Sequence, residues 1–195
     1  MYMQYLRLVG IFVPLPIYIR IAIYFIGAYV VSGGILNFEI ILLGLLSLAA
    51  WLANTTALDI YGRYETDQRR GRGDTEGLIV LNILRAAHVQ AIVIASALAA
   101  LTFVAVYGFL ALGLMLAMLG VSYAYASPQL ALSSRPVLAA ALIPLGYVVL
   151  PILLGSLAAA KLPNLLLLAL TLACYGQFAI SIRSSFNTDK STKLL

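Results

Sequence analysis

The sequence predicts an all-α, polytopic membrane bundle of about six transmembrane helices, on three observations. Hydrophobic residues make up 63% of the chain and charged residues only 10%, against roughly 25% charged in soluble domains. Apolar runs long enough to cross a hydrocarbon core of about 30 Å, which takes about 20 helical residues, recur along most of the sequence. These runs lack the alternation of a barrel strand, and a backbone in lipid must satisfy its own hydrogen bonds, so they are read as helices.

The spans are expected at about 9–31, 38–57, 87–106, 109–126, 137–157 and 163–182. No small-residue cleavage pattern follows the first, so it is not a removable signal. Its Pro14 and Pro16 are expected to keep residues 8–16 kinked or interfacial, with the true span starting near Arg20. Arg20 itself must snorkel or face a polar interior.

The second span ends in Asn54, Thr55 and Thr56, which at about 100° per residue spread over about 300° of the helix. At least one of them must face other helices or a cavity. The third opens near His88, a lone histidine without metal-ligand neighbours and so expected as scaffolding. Pro144 and Pro151 break the fifth, and Gly113, Gly120, Gly146 and Gly155 are expected to let helices approach closely. The sixth carries Cys174, the single cysteine, which excludes an intrachain disulfide and a thiolate metal cluster. Tyr24, Tyr29, Trp51, Tyr107, Tyr123 and Tyr125 lie near span ends, as interfacial anchors do. Residues 1–195 thus form a single transmembrane domain with a short polar tail at 183–195.

Charge sets the orientation. With the N-terminus in the cytoplasm, Arg7, the 59–86 stretch, Arg135 and the tail cations Arg183, Lys190 and Lys193 share one side, and Lys161 alone falls on the other. That asymmetry is the positive-inside pattern, so the main charged loop is expected to be cytoplasmic. Cations scattered over membrane loops form no solvated patch for nucleic acid, and none is expected as a partner beside the membrane lipids.

The chemistry concentrates in DIYGRYETDQRRGRGDTE, residues 59–76, which hold five of the seven carboxylates and four of the twelve cationic side chains. If the second span continues as helix, Asp59, Arg63 and Asp67 stack near one face at steps of four. Two arrangements fit. Arg63 bridges the two aspartates in a solvated ion ladder worth a few tenths of a kcal/mol per pair, or the carboxylates hold Mg²⁺ that carries a substrate phosphate. In the second case Arg63, Arg69, Arg70 and Arg72 clamp phosphate oxygens with their planar forks. Asn54 and its neighbours then line a polar wall leading into the bundle, or they bond back to their own helix and to a neighbouring one. A GDTE turn places Asp74 and Glu76 either near the same site or at the entry to the third span.

LDIYGRYETD followed by RRGRGDTEGLIV resembles the first aspartate-rich motif of the UbiA superfamily of intramembrane prenyltransferases, and YAYASPQLALSSRPVLAAALIPLGYVVLPILLGSL resembles that family's tyrosine-serine-proline loop and proline-broken helix. In the first motif Leu58 replaces the leading asparagine, Asp59 matches, Gly62 replaces an aspartate, and Asp67 matches after a one-residue shift. Tyr125 and Arg135 match the central loop, and Ser133 replaces its lysine. The family's second aspartate motif corresponds to ISIRSSFNTDKSTKLL, with Ser185 and Thr188 in acid positions. The likeness is to the first two-thirds of the nine-helix family fold.

The resemblance implies Mg²⁺-dependent transfer of an isoprenoid chain from a prenyl diphosphate to a lipid-soluble acceptor. By that reading Asp59 and Asp67 bind metal, and Asn54, Arg63, Arg69, Arg70, Arg72, Tyr125 and Arg135 bind substrate. Two other classes fit the composition: a small membrane transporter, and a non-catalytic subunit associating with another membrane protein. A transporter calls for polar groups at mid-membrane in several spans, whereas here they cluster at one face.

Overall fold

The computed structural model describes residues 15–35, 37–70, 86–126, 136–161 and 164–192, with 63–70, 86–87, 136, 166 and 181–192 described as backbone alone. Seven helices follow one another: α1 (Leu15–Val31), α2 (Phe38–Arg70), α3 (Ala86–Val104), α4 (Phe109–Ala126), α5 (Pro136–Pro144), α6 (Leu150–Ala158) and α7 (Leu165–Thr192). A π-helical turn, Leu145–Val149, joins α5 to α6 into a single crossing. Four stretches are long and apolar enough to span a bilayer, Phe38–Gly62, His88–Tyr107, Phe109–Ala126 and Val137–Ala158, and Leu15–Val31 and Leu167–Ile180 are shorter apolar helices. Among the described residues the class is therefore an all-helical, membrane-type bundle, with four helices of spanning length and two shorter apolar ones.

Local chemistry explains the ends. Pro16 sits in the first turn of α1, where its missing N–H has no partner to lose. Helical backbone already covers 15–20, so the span does not wait for Arg20, and that residue is exposed on the outside of the bundle. Residues up to 14 lie outside the described residues. α1 closes with Gly33 at φ +76°, whose N–H bonds to the Val30 carbonyl while that of Gly34 bonds to Tyr29. This is the paired-bond cap that left-handed glycine permits. Asn37 then caps α2, its Oδ1 accepting the backbone N–H of Glu39 at 3.0 Å. Asn164 caps α7 in the same way through the Leu167 N–H at 2.8 Å. The end of α6 repeats the glycine cap with an alanine, since Ala160 adopts φ 54° and Lys161 bonds back to the Ser156 carbonyl.

Two expectations need correction here. The second helix does not stop near 57 but runs to Arg70, so the first part of the charged island is helix and not loop. Gly113 and Gly120 meet nothing within 4 Å among the described residues, so they are not contact glycines. Gly155 is one: a methyl group there would stand 2.3 Å from the Phe25 carbonyl oxygen. Inside lipid, helices associate by close packing and interhelical hydrogen bonds in the absence of a hydrophobic drive, and small residues therefore matter most where backbones touch.

α2 is the central element. It packs along α3 through Ala57, Ile60 and Val89 and against α1, α4 and α6 through Phe25, Leu48, Trp51, Leu52, Met115, Met118 and Leu154. α7 lies against the π turn and α6 through Val148, Ile152 and Leu167. The Tyr175 hydroxyl donates to the Ala141 carbonyl of α5 at 3.2 Å. One end of the bundle carries Gly62 beside Ala126. The opposite end carries Gly33 beside Lys161, and there Tyr107 donates to the Ile40 carbonyl.

Candidate functional site

The Gly62 end holds two of the sequence-predicted site residues, Asp59 and Tyr125. α2 and α4 run in the same direction and meet here, for a Cβ on Gly62 would lie 2.3 Å from the Ala126 carbonyl oxygen. Asp59 and Tyr125, both half-buried, lie at this end of α2 and α4. Each is within electrostatic reach of the half-buried Tyr147 phenol, on the π turn. Three elements distant in sequence thus bring polar side chains within electrostatic reach of one another.

One turn deeper, α2 and α4 are joined by a closed circuit of hydrogen bonds. The Trp51 indole N–H donates to Ser122 Oγ at 3.1 Å, and Ser122 Oγ lies 3.0 Å from Thr55 Oγ1. Thr55 donates to the Trp51 carbonyl at 3.0 Å. Because Thr55 spends its proton there, Ser122 supplies the proton of the bond between the hydroxyls, and every donor in the circuit is used. Beneath it the Trp51 ring meets that of Tyr147 edge to face, with centroids 5.5 Å apart at 60°.

The π turn has a local cause. Pro144 and Pro151 lack the N–H groups that would close ordinary helical bonds, and their rings crowd the preceding turn. The backbone widens, so that the Leu150 N–H reaches the Leu145 carbonyl, five residues back. Tyr147 and Gly146 are thereby turned toward α2, where a Cβ on Gly146 would sit 3.3 Å from the Trp51 ring.

Asn54 is 2% exposed and its amide donates to the Val93 carbonyl of α3 at 2.7 Å, while Thr56 bonds back to Leu52 at 2.9 Å. Of the three consecutive polar residues, Thr55 is thus the one joined to α4 near this end. Arg63, Asp67, Arg69 and Arg70 ride on the last two turns of α2, and their side chains lie outside the described residues. Arg72 and Arg135 lie outside them altogether. His88 is exposed at the start of α3. Trp51 and Tyr29, expected as interfacial anchors, are instead core residues, each 2% exposed. Tyr123, 63% exposed, remains placed as an anchor would be.

Sequence reading missed Tyr147 and Ser122, and it misassigned Trp51. The usable signal was the line Trp51, Thr55, Asp59 at steps of four, which shares one face of α2.

No group of three or more His, Cys, Asp or Glu gathers among the described residues. Asp59 and Asp67 stand eight residues apart on one continuous helix, a rise of about 12 Å. Mg²⁺ binds oxygen at about 2.1 Å, keeps several waters and needs only one or two carboxylates plus phosphate. The donors therefore fit one carboxylate per ion and do not fit a single ion held by both.

These features define a membrane-type helical bundle with polar side chains grouped at one end of an apolar body. Its fold is UbiA-like: it is similar to the solved structure of a UbiA homolog from Archaeoglobus fulgidus, with a TM-score of 0.66 and 19% sequence identity over 95% of this chain. The chain spans 66% of the length of that protein. No protein-family model and no curated protein matches the sequence.

Proposed function

We propose that the chain binds a prenyl diphosphate together with Mg²⁺ at the Asp59 end and transfers the isoprenoid chain to a lipid-soluble acceptor. The observation that carries this reading is the convergence of Asp59, Tyr125 and Tyr147 from α2, α4 and the π turn at one end of a UbiA-like bundle. An anionic headgroup with a hydrocarbon tail is the ligand whose two halves match a charged helix end on an apolar bundle.

Mg²⁺, when bound, neutralises charge that develops on the departing pyrophosphate. Asp59 and Asp67 each hold one ion in this scheme. Arg63, Arg69, Arg70, Arg72 and Arg135 draw the phosphate oxygens toward the end of α2, as fixed donors aimed at developing negative charge. Tyr125 offers a phenol to the same headgroup, Thr55 is the polar group below it, and Asn54 braces α2 against α3 through the Val93 carbonyl. The apolar body keeps water from capturing the allylic cation once the C–O bond has broken. The Asp59 end and the N-terminus face the cytoplasm in this scheme, in keeping with the cation asymmetry of the sequence.

The experiment is a binding titration of detergent-purified protein with farnesyl diphosphate, with Mg²⁺ and with EDTA, followed by a transfer assay using labelled donor and a membrane lipid extract as acceptor source. Saturable binding that EDTA abolishes, with label appearing in a lipid product, is the expected result. Absent or metal-independent binding rejects the site, and binding without transfer rejects the enzymatic half of the reading.

A further inference from the structure

Arg20 is an exposed cation, and two contacts fix its depth. Phe25, one turn and a half further along α1, lies against Gly44 of α2 and, through its carbonyl, against Gly155 of α6. α1 runs antiparallel to α2 and parallel to α6, so Arg20 stands level with Ala49 on the first and Leu150 on the second. The middles of these two apolar stretches, Phe38–Gly62 and Val137–Ala158, fall at Ala50 and between Tyr147 and Val148. Arg20 is therefore within about 5 Å of the bilayer centre, at a rise of about 1.5 Å per residue.

Among the described residues no carboxylate is in reach. Glu39 and Asp59 lie in opposite directions from the level of Ala49, each about 15 Å away along the axis of α2. Glu65 and Asp67 ride farther out on the same helix. An arginine side chain extends about 7 Å at ordinary bond lengths, against about 15 Å from the bilayer centre to the edge of the hydrocarbon. A cation at such a depth is costly unless a partner group meets it.

The face that carries it has the form of a helix seat. Ile19, Arg20, Ile23, Gly27 and Val30 are all exposed and lie within about 100° of one another around α1. The other side of the helix is buried through Ile21, Phe25, Ala28 and Tyr29. A Cβ on Gly27 would meet nothing within 4 Å, which leaves bare backbone where a neighbouring helix can come close.

We infer that this face of α1 seats a transmembrane helix of another protein that carries an aspartate or glutamate near its centre, paired with Arg20 and packed on Gly27. A lipid phosphate fits less well, because it lies beyond the reach of the side chain. A second copy of this chain fits no better. Inserted in the same orientation, it brings its residues to the same depths, where it offers another Arg20 and, among the described residues, no carboxylate. The inference is independent of the reading under Proposed function, since it concerns the outer side of α1 and not the Asp59 end.

The test places the full chain in phosphatidylcholine vesicles with tryptophan-free, dansyl-labelled polyleucine helices of about 20 residues, whose central residue is Asp, Asn or Leu. Trp51, the single tryptophan of the chain, lies almost at the depth of Arg20 and serves as the energy donor. The Asp helix should associate about tenfold more tightly than the Leu helix, with the Asn helix between them. Arg20→Leu should abolish that preference, and Gly27→Leu should weaken binding severalfold. Gly113→Leu, at an exposed glycine of α4, should change nothing.

Equal affinity for the Asp and Leu helices overturns the inference and leaves Arg20 to lipid phosphate. An Asp preference that survives Arg20→Leu overturns it as well. Should the chain associate with itself in the same vesicles and Arg20→Leu separate the copies, the face belongs to a second copy and the inference falls. Arg20 and Gly27 are both exposed, so neither variant removes a buried contact, and circular dichroism of each checks that it has folded.

Discussion

Gly62 and Ala126 touch backbone to backbone: a methyl group on the first would stand 2.3 Å from the carbonyl oxygen of the second. This contact lets α2 and α4 close on each other at the end that carries Asp59 and Tyr125. Gly62→Ala should therefore lower stability by about 1–3 kcal/mol, the usual cost of overpacking. Gly113→Ala, with nothing within 4 Å among the described residues, should gain up to about 1 kcal/mol from helix propensity. Thermal unfolding in detergent, followed by circular dichroism, compares the two; equal shifts would contradict the close approach.

Asp59→Asn keeps the shape of the side chain and removes its charge. Magnesium-dependent affinity for farnesyl diphosphate should fall roughly tenfold or more, as loss of about 1.4 kcal/mol or more from a charge-assisted contact requires. Calorimetric titration with and without Mg²⁺ reads this directly. An unchanged affinity removes Asp59 from the site.

Asn54 spends its amide on the Val93 carbonyl across the α2–α3 interface, 2.7 Å away. Asn54→Leu should cost roughly 0.6–2 kcal/mol of stability, the span measured for interhelical hydrogen bonds in membranes. A detergent-unfolding series is the suitable measurement, and a variant as stable as the parent would show that the bond carries no net weight.

Ala160 holds a left-handed conformation at φ 54° that closes α6. An L side chain in that region is disfavoured by about 1–2 kcal/mol, so Ala160→Gly should stabilise the protein by up to about that amount despite the added freedom of the unfolded chain. A higher thermal midpoint is the expected result, and a lower one would mean that the alanine methyl makes packing contacts worth more than the strain.

Hydropathy was enough to find the apolar helices among the described residues, because an apolar run in lipid leaves few alternatives to a helix. It could not place the end of α2. The charges of Arg63, Glu65 and Arg69 read as a loop, yet these residue types favour helix, and the backbone continues through them to Arg70. Asp59 and Tyr125 stand out by motif, and in the structure each lies within electrostatic reach of Tyr147. Trp51 was misread because a position near a span end looks interfacial in one dimension. Only the direction of its side chain, toward Ser122 and Tyr147, makes it core. Tyr147 was hidden for a related reason. Pro144 and Pro151 announce a break, but which side chains the widened turn swings toward α2 depends on the extra residue it absorbs.

Asp59 lies only three residues inside the Gly62 limit of its apolar stretch, a depth of about 4.5 Å along the helix axis. The 25-residue stretch is about 37 Å long as helix against a hydrocarbon core of about 30 Å, so Asp59 stands near the edge of the hydrocarbon, just below the headgroups. An amphiphile already dissolved in the leaflet carries its own phosphates at nearly that height, so sideways diffusion suffices for delivery. Neither end of such a molecule has to change solvent on the way, and encounter is governed by its surface density in the leaflet and not by its vanishing solubility in the surrounding water.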